Sequence, residues 1–243
     1  AIYSTFLQRA YSHIIHDVAI EGLPVTFCLD RAGLVGEDGP THHGVFDLAY
    51  LRSIPGMTIA VPRDGDELRR LMYTSLTLDG PMAIRYPRGR AAQHPSDTRE
   101  TVTIGTGERL KDGGDLAVLT VGPVADDAMR AIRRAEDELG MSIALYDMRF
   151  VKPLDSALLT EIIGKKCPVI TVEDGVVNGG MGSAVLEWIS ENLPEGYDHP
   201  KVTRLGVPDR FIPQGSPAQL HELCGFDEEG IYQAIAGYKK QSN

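Results

Sequence analysis

Short apolar runs alternating with helical stretches, in two series divided by a polar segment, restrict the fold of this chain more than any other feature. Leu7, Ala10, Ile14 and Val18 recur at helical spacing, and Gly22 with Pro24 ends that pattern. A buried strand follows at 24–29, then a short helix near 48–52, a strand at 57–61, and a helix opened by Asp64 with Glu67 three residues on. A further strand at 82–86 precedes Pro87-Arg88-Gly89. From Asp115 the alternation resumes, with strands at 116–121, 142–147, 169–173 and 201–206 separated by helices. Strands this short and apolar, alternating with helices, predict mainly parallel sheets covered on both faces. The expectation is α/β: two successive three-layer α/β domains, over residues 1–92 and 115–243. Between them, 93–114 is polar and predicts a connection with a hairpin at 101–111, bounded by Asp112-Gly113-Gly114. The first helix begins at once, with no leading strand and no initiator methionine, which predicts a piece of a longer protein.

The 243 residues, 42% of them apolar, can bury one sizeable core or two smaller ones. With 24 Lys and Arg against 34 Asp and Glu, the formal net charge of −10 argues against a nucleic-acid backbone or an anionic membrane as partner. An anionic substrate would need local arginines. Cys28, Cys167 and Cys224 are far apart, odd in number and set in apolar or helical surroundings. They suggest neither a disulfide framework nor a metal site, and they fit a reducing compartment. No apolar run approaches the roughly 18 residues of a membrane span, and no secretory pattern opens the chain.

Chemistry concentrates in residues 30–47, where Arg31, several acids, His42, His43 and four glycines share one loop after the first strand. Open α/β sheets place ligands at the carboxyl ends of their strands. Asp38 and His42 bracket Gly39-Pro40-Thr41, a turn that could direct both side chains into one pocket. Imidazole titrates near neutral pH and can move protons on a hydroxyl or carbonyl. His43 has the same chemistry, so the residues themselves do not choose between the two. Arg31 and Arg88 both follow predicted strands, and two guanidinium groups at one crevice would suit a phosphate monoester. Arg85 is a rival, and ion pairing within the protein is the plainer role for any of the three. Gly179-Gly180-Met181-Gly182-Ser183 before a helix could cradle an anion, although close helix packing explains the glycines better. Tyr3, Phe6 and Arg9 lie three apart and share a helix face. An arginine on an aromatic stripe points to a polar pocket rather than plain core.

These residues identify a resemblance. The run from Ala1 to Tyr11, the loop from Asp30 to Phe46, Leu51-Arg-Ser-Ile-Pro-Gly56 and Ile84-Arg-Tyr-Pro-Arg-Gly89 closely resemble the 1-deoxy-D-xylulose-5-phosphate synthase family. Asp147-Met-Arg-Phe-Val-Lys-Pro-Leu-Asp155 and Gly206-Val-Pro-Asp-Arg-Phe-Ile-Pro-Gln-Gly215 carry the similarity through nearly the whole chain. Gly36-Glu-Asp-Gly-Pro-Thr-His42 alone would also suit transketolase, a relative using the same cofactor. The continuation His43-Gly-Val-Phe-Asp47 and the later Arg-Tyr-Pro-Arg-Gly are more similar to the synthase than to transketolase or to 2-oxo-acid dehydrogenase β-subunits.

The resemblance implies a partial thiamine-diphosphate pyrimidine-binding domain followed by a transketolase C-terminal-type domain. It implies a thiamine-diphosphate-dependent, transketolase-type transferase condensing pyruvate with D-glyceraldehyde 3-phosphate, with carbon dioxide released. Carried over by residue, Phe6 would stack on the cofactor's aminopyrimidine, with Tyr3 and Arg9 bordering the reacting carbons. His42 would be the acid/base or hydrogen-bonding residue, Asp38 would contact the acceptor's hydroxyl, and Arg31 with Arg88 would hold its phosphate. In this family a Gly-Asp-Gly motif with a downstream Asn in an amino-terminal domain holds the diphosphate and magnesium, and a glutamate activates the pyrimidine. Neither lies in these 243 residues, so no metal ligand is assigned here, and the amino-terminal domain of the same enzyme is the expected partner. A homodimer in bacterial cytoplasm or plastid stroma is expected, without nucleic-acid or membrane partners. The alternatives are another transferase of this kind, a dehydrogenase β-subunit, or a non-catalytic interaction subunit.

Overall fold

The computed structural model describes residues 1–91, 99–193, 196 and 198–241. Two five-stranded sheets form, with orders β1-β2-β4-β3-β8 and β10-β9-β6-β7-β5. In the first, β1 (Ile2–Tyr3), β2 (Thr26–Asp30), β3 (Thr58–Ala60) and β4 (Met82–Arg85) run parallel. The second is built on β6 (Leu116–Val121), β7 (Ile143–Asp147), β9 (Val169–Val176) and β10 (Val202–Val207), also parallel. The α/β expectation is met, with β3, β4, β6 and β7 buried along their length between packed helices.

Three local expectations are corrected. Tyr3 ends a leading strand, since Ile2 and Tyr3 pair with Leu29 and Asp30 before the first helix begins. Two residues are too few to leave an alternation signal. The 101–111 hairpin is absent: β5 (Glu108–Lys111) instead pairs antiparallel with β7, at the edge of the second sheet. The start of the expected connection, 93–98, lies outside the described residues. Finally β8 (Phe150–Lys152) leaves the second series and closes the first sheet, antiparallel to β3. Arg149, at φ +54°, makes the left-handed turn that redirects the chain there from the end of β7.

The first helix is one helical run over 4–19. It comprises α1 (Ser4–Leu7), a 3₁₀ turn at Gln8–Ala10, α2 (Tyr11–His13) and a π turn at Ile14–Ala19. Its Leu7 and Ile14 join Leu48 and Leu51 of α3 (Asp47–Arg52) in a core that also takes side chains from both sheets, among them Leu29, Ile59, Leu119 and Tyr146. α6 (Ser156–Gly164) and α7 (Met181–Asn192) pack into the same core. On the outer faces, α4 (Gly65–Ser75) covers the first sheet, and α5 (Ala125–Leu139), α8 (Pro217–Cys224) and α9 (Glu228–Gln241) cover the second.

Asp64 caps α4 by accepting the Glu67 N–H at 2.8 Å, as its spacing predicts. The Glu67 side chain instead accepts from the Arg63 N–H at 2.6 Å and Arg149 Nε at 2.5 Å, so it serves the junction between the sheets. Gly122, at φ +81°, marks how close the sheets come: a Cβ there would lie 2.7 Å from Val61 Cγ1. Residues just beyond the strands of both sheets, such as Ala32, Pro87 and Pro123, with Asp174 of β9, line shared cavities at this junction.

Candidate active site

A column of rings and cations forms at the carboxyl edge of the first sheet. The Arg31 guanidinium lies 3.9 Å from the centre of the Tyr3 ring, and Tyr3 stacks on Phe6 at 5.2 Å and 13°. Arg9 lies over Phe6 at 5.8 Å, while His42 meets the Phe6 ring edge-on at 5.7 Å. Tyr3, Phe6 and Arg9 thus share one face, although Tyr3 belongs to β1. Two small hydroxyls hold the column in place. Ser4 donates to Asp47 at 2.8 Å, and Thr5 donates to the Thr41 carbonyl at 3.0 Å, which brings the neighbouring His42 against Phe6.

The loop closes on itself through Gly33 and Gly44, whose backbones exchange two 2.8 Å hydrogen bonds. A Cβ on Gly44 would meet the Arg31 carbonyl at 2.5 Å, so this approach needs glycine. A 3₁₀ turn at Gly39–Thr41 separates Asp38 from His42. The two histidines diverge. His43 is buried: its Nδ1 accepts the Val35 N–H at 3.3 Å and its Nε2 donates to the Pro213 carbonyl at 3.1 Å, which requires the neutral Nε2–H form. His42 is half-buried, bonded through Nδ1 to the Thr41 hydroxyl at 2.9 Å, and its Nε2 is free of protein partners among the described residues. Asp38 is exposed and, among the described residues, likewise has no side-chain partner.

Arg31 and Arg88 line one cleft of about 590 Å³, together with Arg63, Arg90, Asp30, Asp64 and Asp126. Arg31 has a left-handed backbone at φ +53°, a conformation costly for a residue with a side chain, and its guanidinium pairs with Asp30 at 2.5 Å. Arg88 has no partner among the described residues. Arg85 is committed elsewhere. Buried and paired with Asp47 at 2.8 Å, it also donates to the carbonyls of Gly44 and Asp174, tying loop, α3 and second sheet together. Arg63 faces Asp64, Glu108 and Asp147.

The glycine run before α7 does cradle an anion, and the anion is the chain's own Glu173. Its carboxylate accepts the Met181 and Gly182 N–H groups at 2.7 and 2.8 Å, and a Cβ on Gly180 would come within 2.1 Å of it. Burial nonetheless outweighs these donors and pushes the Glu173 carboxyl up to about 7. A separate cavity of about 490 Å³, with Phe46, Phe211 and His43 in its walls, contains none of the column residues. Among the described residues, no group of three or more His, Cys, Asp or Glu side chains could hold a metal ion.

Ser4, Thr5, Asp47 and Asp174 escaped the sequence reading. Asp47 carried a signal, as an acid close behind the paired histidines. Asp174 lies 140 positions from its partner Leu34 and had none.

Residues 1–93 match the family described as transketolase, pyrimidine binding domain, and residues 105–231 match transketolase, C-terminal domain. The chain belongs to the transketolase family. A 1-deoxy-D-xylulose-5-phosphate synthase from Bacteroides fragilis is 58% identical over 240 residues, 98% of this chain and 36% of that protein. The synthase of Carboxydothermus hydrogenoformans is 51% identical over 232 residues, again covering 36% of its length. The chain therefore spans little more than a third of these relatives, and the resemblance read from its motifs is borne out over almost all of it. Among solved structures, a split-gene transketolase described as an inactive β4 tetramer superposes with a TM-score of 0.84 at 29% identity, covering 98% of this chain and 74% of that one. Campylobacter jejuni transketolase shares the fold, with a TM-score of 0.75 at 18% identity over 97% of this chain and 35% of its own. Transketolase domains of these two kinds imply thiamine diphosphate as cofactor. The structure fits that group's aminopyrimidine: Phe6 is a 38% exposed ring beside a half-buried imidazole, offering a planar heterocycle both an apolar face and a polar edge. Among the described residues, no helix is long and apolar enough to cross a membrane.

Proposed function

We propose that this chain supplies the pyrimidine and acceptor side of an active site that condenses pyruvate with D-glyceraldehyde 3-phosphate. The products are 1-deoxy-D-xylulose 5-phosphate, an isoprenoid precursor, and carbon dioxide. The observation that carries the reading is the convergence of Tyr3, Phe6, Arg9, Arg31 and His42 in one column, with Arg88 on the same cleft as Arg31. The likeness to synthases over 98% of the chain supports the same assignment. Residues 1–92, completed by β8, are read as the pyrimidine-binding part, and the stretch from β5 onward, β8 apart, as the C-terminal domain.

When bound, thiamine diphosphate supplies the electron sink for decarboxylation and carbon–carbon bond formation. The chain's residues act around it. Phe6 carries the pyrimidine ring, and Tyr3 and Arg9 border it and exclude water. Arg31 and Arg88 hold the acceptor's phosphate, each as a charge-assisted contact of about 1.5 to 3 kcal/mol. Asp38 accepts from the acceptor hydroxyl. Through Nε2, His42 gives or takes the proton at the reacting oxygen. Diphosphate and magnesium are assigned to an amino-terminal domain outside these residues, with a cytoplasmic or plastid homodimer as the working assembly. A related split-gene transketolase chain, described as inactive in its β4 tetramer, supports treating the 243 residues as half a site.

Product assays on the enzyme containing this chain test the reading. Product and carbon dioxide should appear only with pyruvate and the phosphorylated aldehyde together. Turnover of a ketose donor without pyruvate would favour transketolase activity instead. By calorimetry, the 243 residues alone should bind no thiamine diphosphate at micromolar concentration, and tight magnesium-dependent binding would relocate the diphosphate site into this chain.

A further inference from the structure

The loop carrying Arg31, Asp38 and His42 is anchored by residues of the second series at several points, among them the Val176 N–H, which donates to the Val45 carbonyl at 2.9 Å. Both Asp174 carboxylate oxygens accept the Leu34 N–H, at 3.0 and 3.2 Å. The Pro213 carbonyl accepts from His43, and the Gly215 N–H donates to the Gly36 carbonyl at 3.4 Å. Asp174 is the charged member of the set, and the loop is shaped around it. A Cβ at Gly33 would sit 2.0 Å from Asp174 Oδ2, so the missing side chain is what admits the carboxylate. Behind it stands His221, with Nε2 3.5 Å from Asp174 Oδ2 and its ring tilted on Phe226 at 4.6 Å. Burial lowers the His221 imidazole, but Asp174, with Asp127 and Asp227 beyond, raises it further, so the pair attracts. Asp174 and His221 also wall a cleft of about 400 Å³ shared with Arg88 and Glu37.

We propose that Asp174, backed by His221, is a positioning residue for the acceptor site: the C-terminal domain sets where Arg31, Asp38 and His42 stand. The proposal rests on the acceptor reading given above. Asp174 is placed to touch the loop backbone and not the reacting atoms, so its effect falls on how the acceptor is gripped. On the pyrimidine side, Ser4 is held by Asp47, outside the span that Asp174 anchors.

The test uses the enzyme containing this chain and two readouts. In Asp174→Ala, the KM for glyceraldehyde 3-phosphate should rise about 10-fold or more, the scale of one lost charge-assisted contact. The KM for pyruvate should stay within about twofold. Asp174→Asn, whose amide oxygen can still accept the Leu34 N–H, should recover most of the loss, and it replaces the alanine variant if that fails to fold. Hydrogen exchange supplies the second readout: amides over 33–44 should exchange about 10-fold faster in Asp174→Ala while those of β9 stay protected. Equal losses toward both substrates, or unchanged exchange over 33–44, would overturn the proposal. If the parent enzyme makes no product from these two substrates, the functional reading fails, while exchange still decides whether Asp174 holds the loop.

Discussion

His42 and His43 show how far apart adjacent residues can be in role. His42→Ala in the complete enzyme should lower turnover about 10²- to 10⁴-fold with melting unchanged, because its Nε2 is free to act on a reacting oxygen. His43→Ala should instead cost about 1 to 3 kcal/mol of stability, since it strips partners from the buried Val35 N–H and the Pro213 carbonyl. Paired kinetic and thermal measurements separate the two, and a larger turnover loss at His43 would reverse the assignment. Arg88→Ala should reduce kcat/KM for the phosphorylated aldehyde about 10- to 100-fold and spare pyruvate. An equal loss with unphosphorylated glyceraldehyde would remove Arg88 from phosphate binding. Tyr3, Phe6 and Arg9 were legible in the sequence because a three-residue spacing survives the change from strand to helix. The histidine pair was not, because a loop has no period from which to tell which side chain turns inward. Arg85 resembled Arg88 in sequence, and only the buried Asp47 beside it distinguishes a structural guanidinium from an available one.

At the scale of elements, β9 and α7 form a unit whose centre is a titrating group. Glu173 sits at 0% exposure against the first N–H groups of α7, with its carboxyl raised from 4.5 to about 7. A carboxyl raised in the fold favours the protonated state there. Its contribution is therefore full below about 4.5 and is lost as the pH climbs through about 7. Denaturant unfolding between pH 5 and 8 should show stability falling with pH, with a flatter profile in Glu173→Gln. Identical slopes in the two proteins would mean that Glu173 is already ionised in the fold. Most strands and helices were readable from the alternation of apolar runs, short β3 and α3 included. β1, β5 and β8, of two, four and three residues, were not read in their places, because their pairing is with an edge of a sheet and not with a sequence neighbour.

Across the whole molecule the two sheets are joined by buried charge as well as by a common core. Arg149 pairs with Glu67 at 2.5 Å and with Glu108 at 3.1 Å, while Arg63 faces Asp147 at 3.7 Å. Burial, with Glu67 nearby, holds the Asp147 carboxyl well above the usual range. Arg149→Ala leaves Glu67 buried without its partner, and should cost about 3 to 5 kcal/mol in denaturant unfolding. A loss below about 1 kcal/mol would mean that water reaches the site and compensates. The family boundaries at 93 and 105 invite a cut in the polar stretch between them. Strand β8 argues otherwise. Severed there, the leading fragment would forfeit the strand that seals β3, baring a row of amides and carbonyls that invites chain-to-chain stacking. A gene rearrangement or a protease acting at that seam would yield a sticky fragment instead of a portable module.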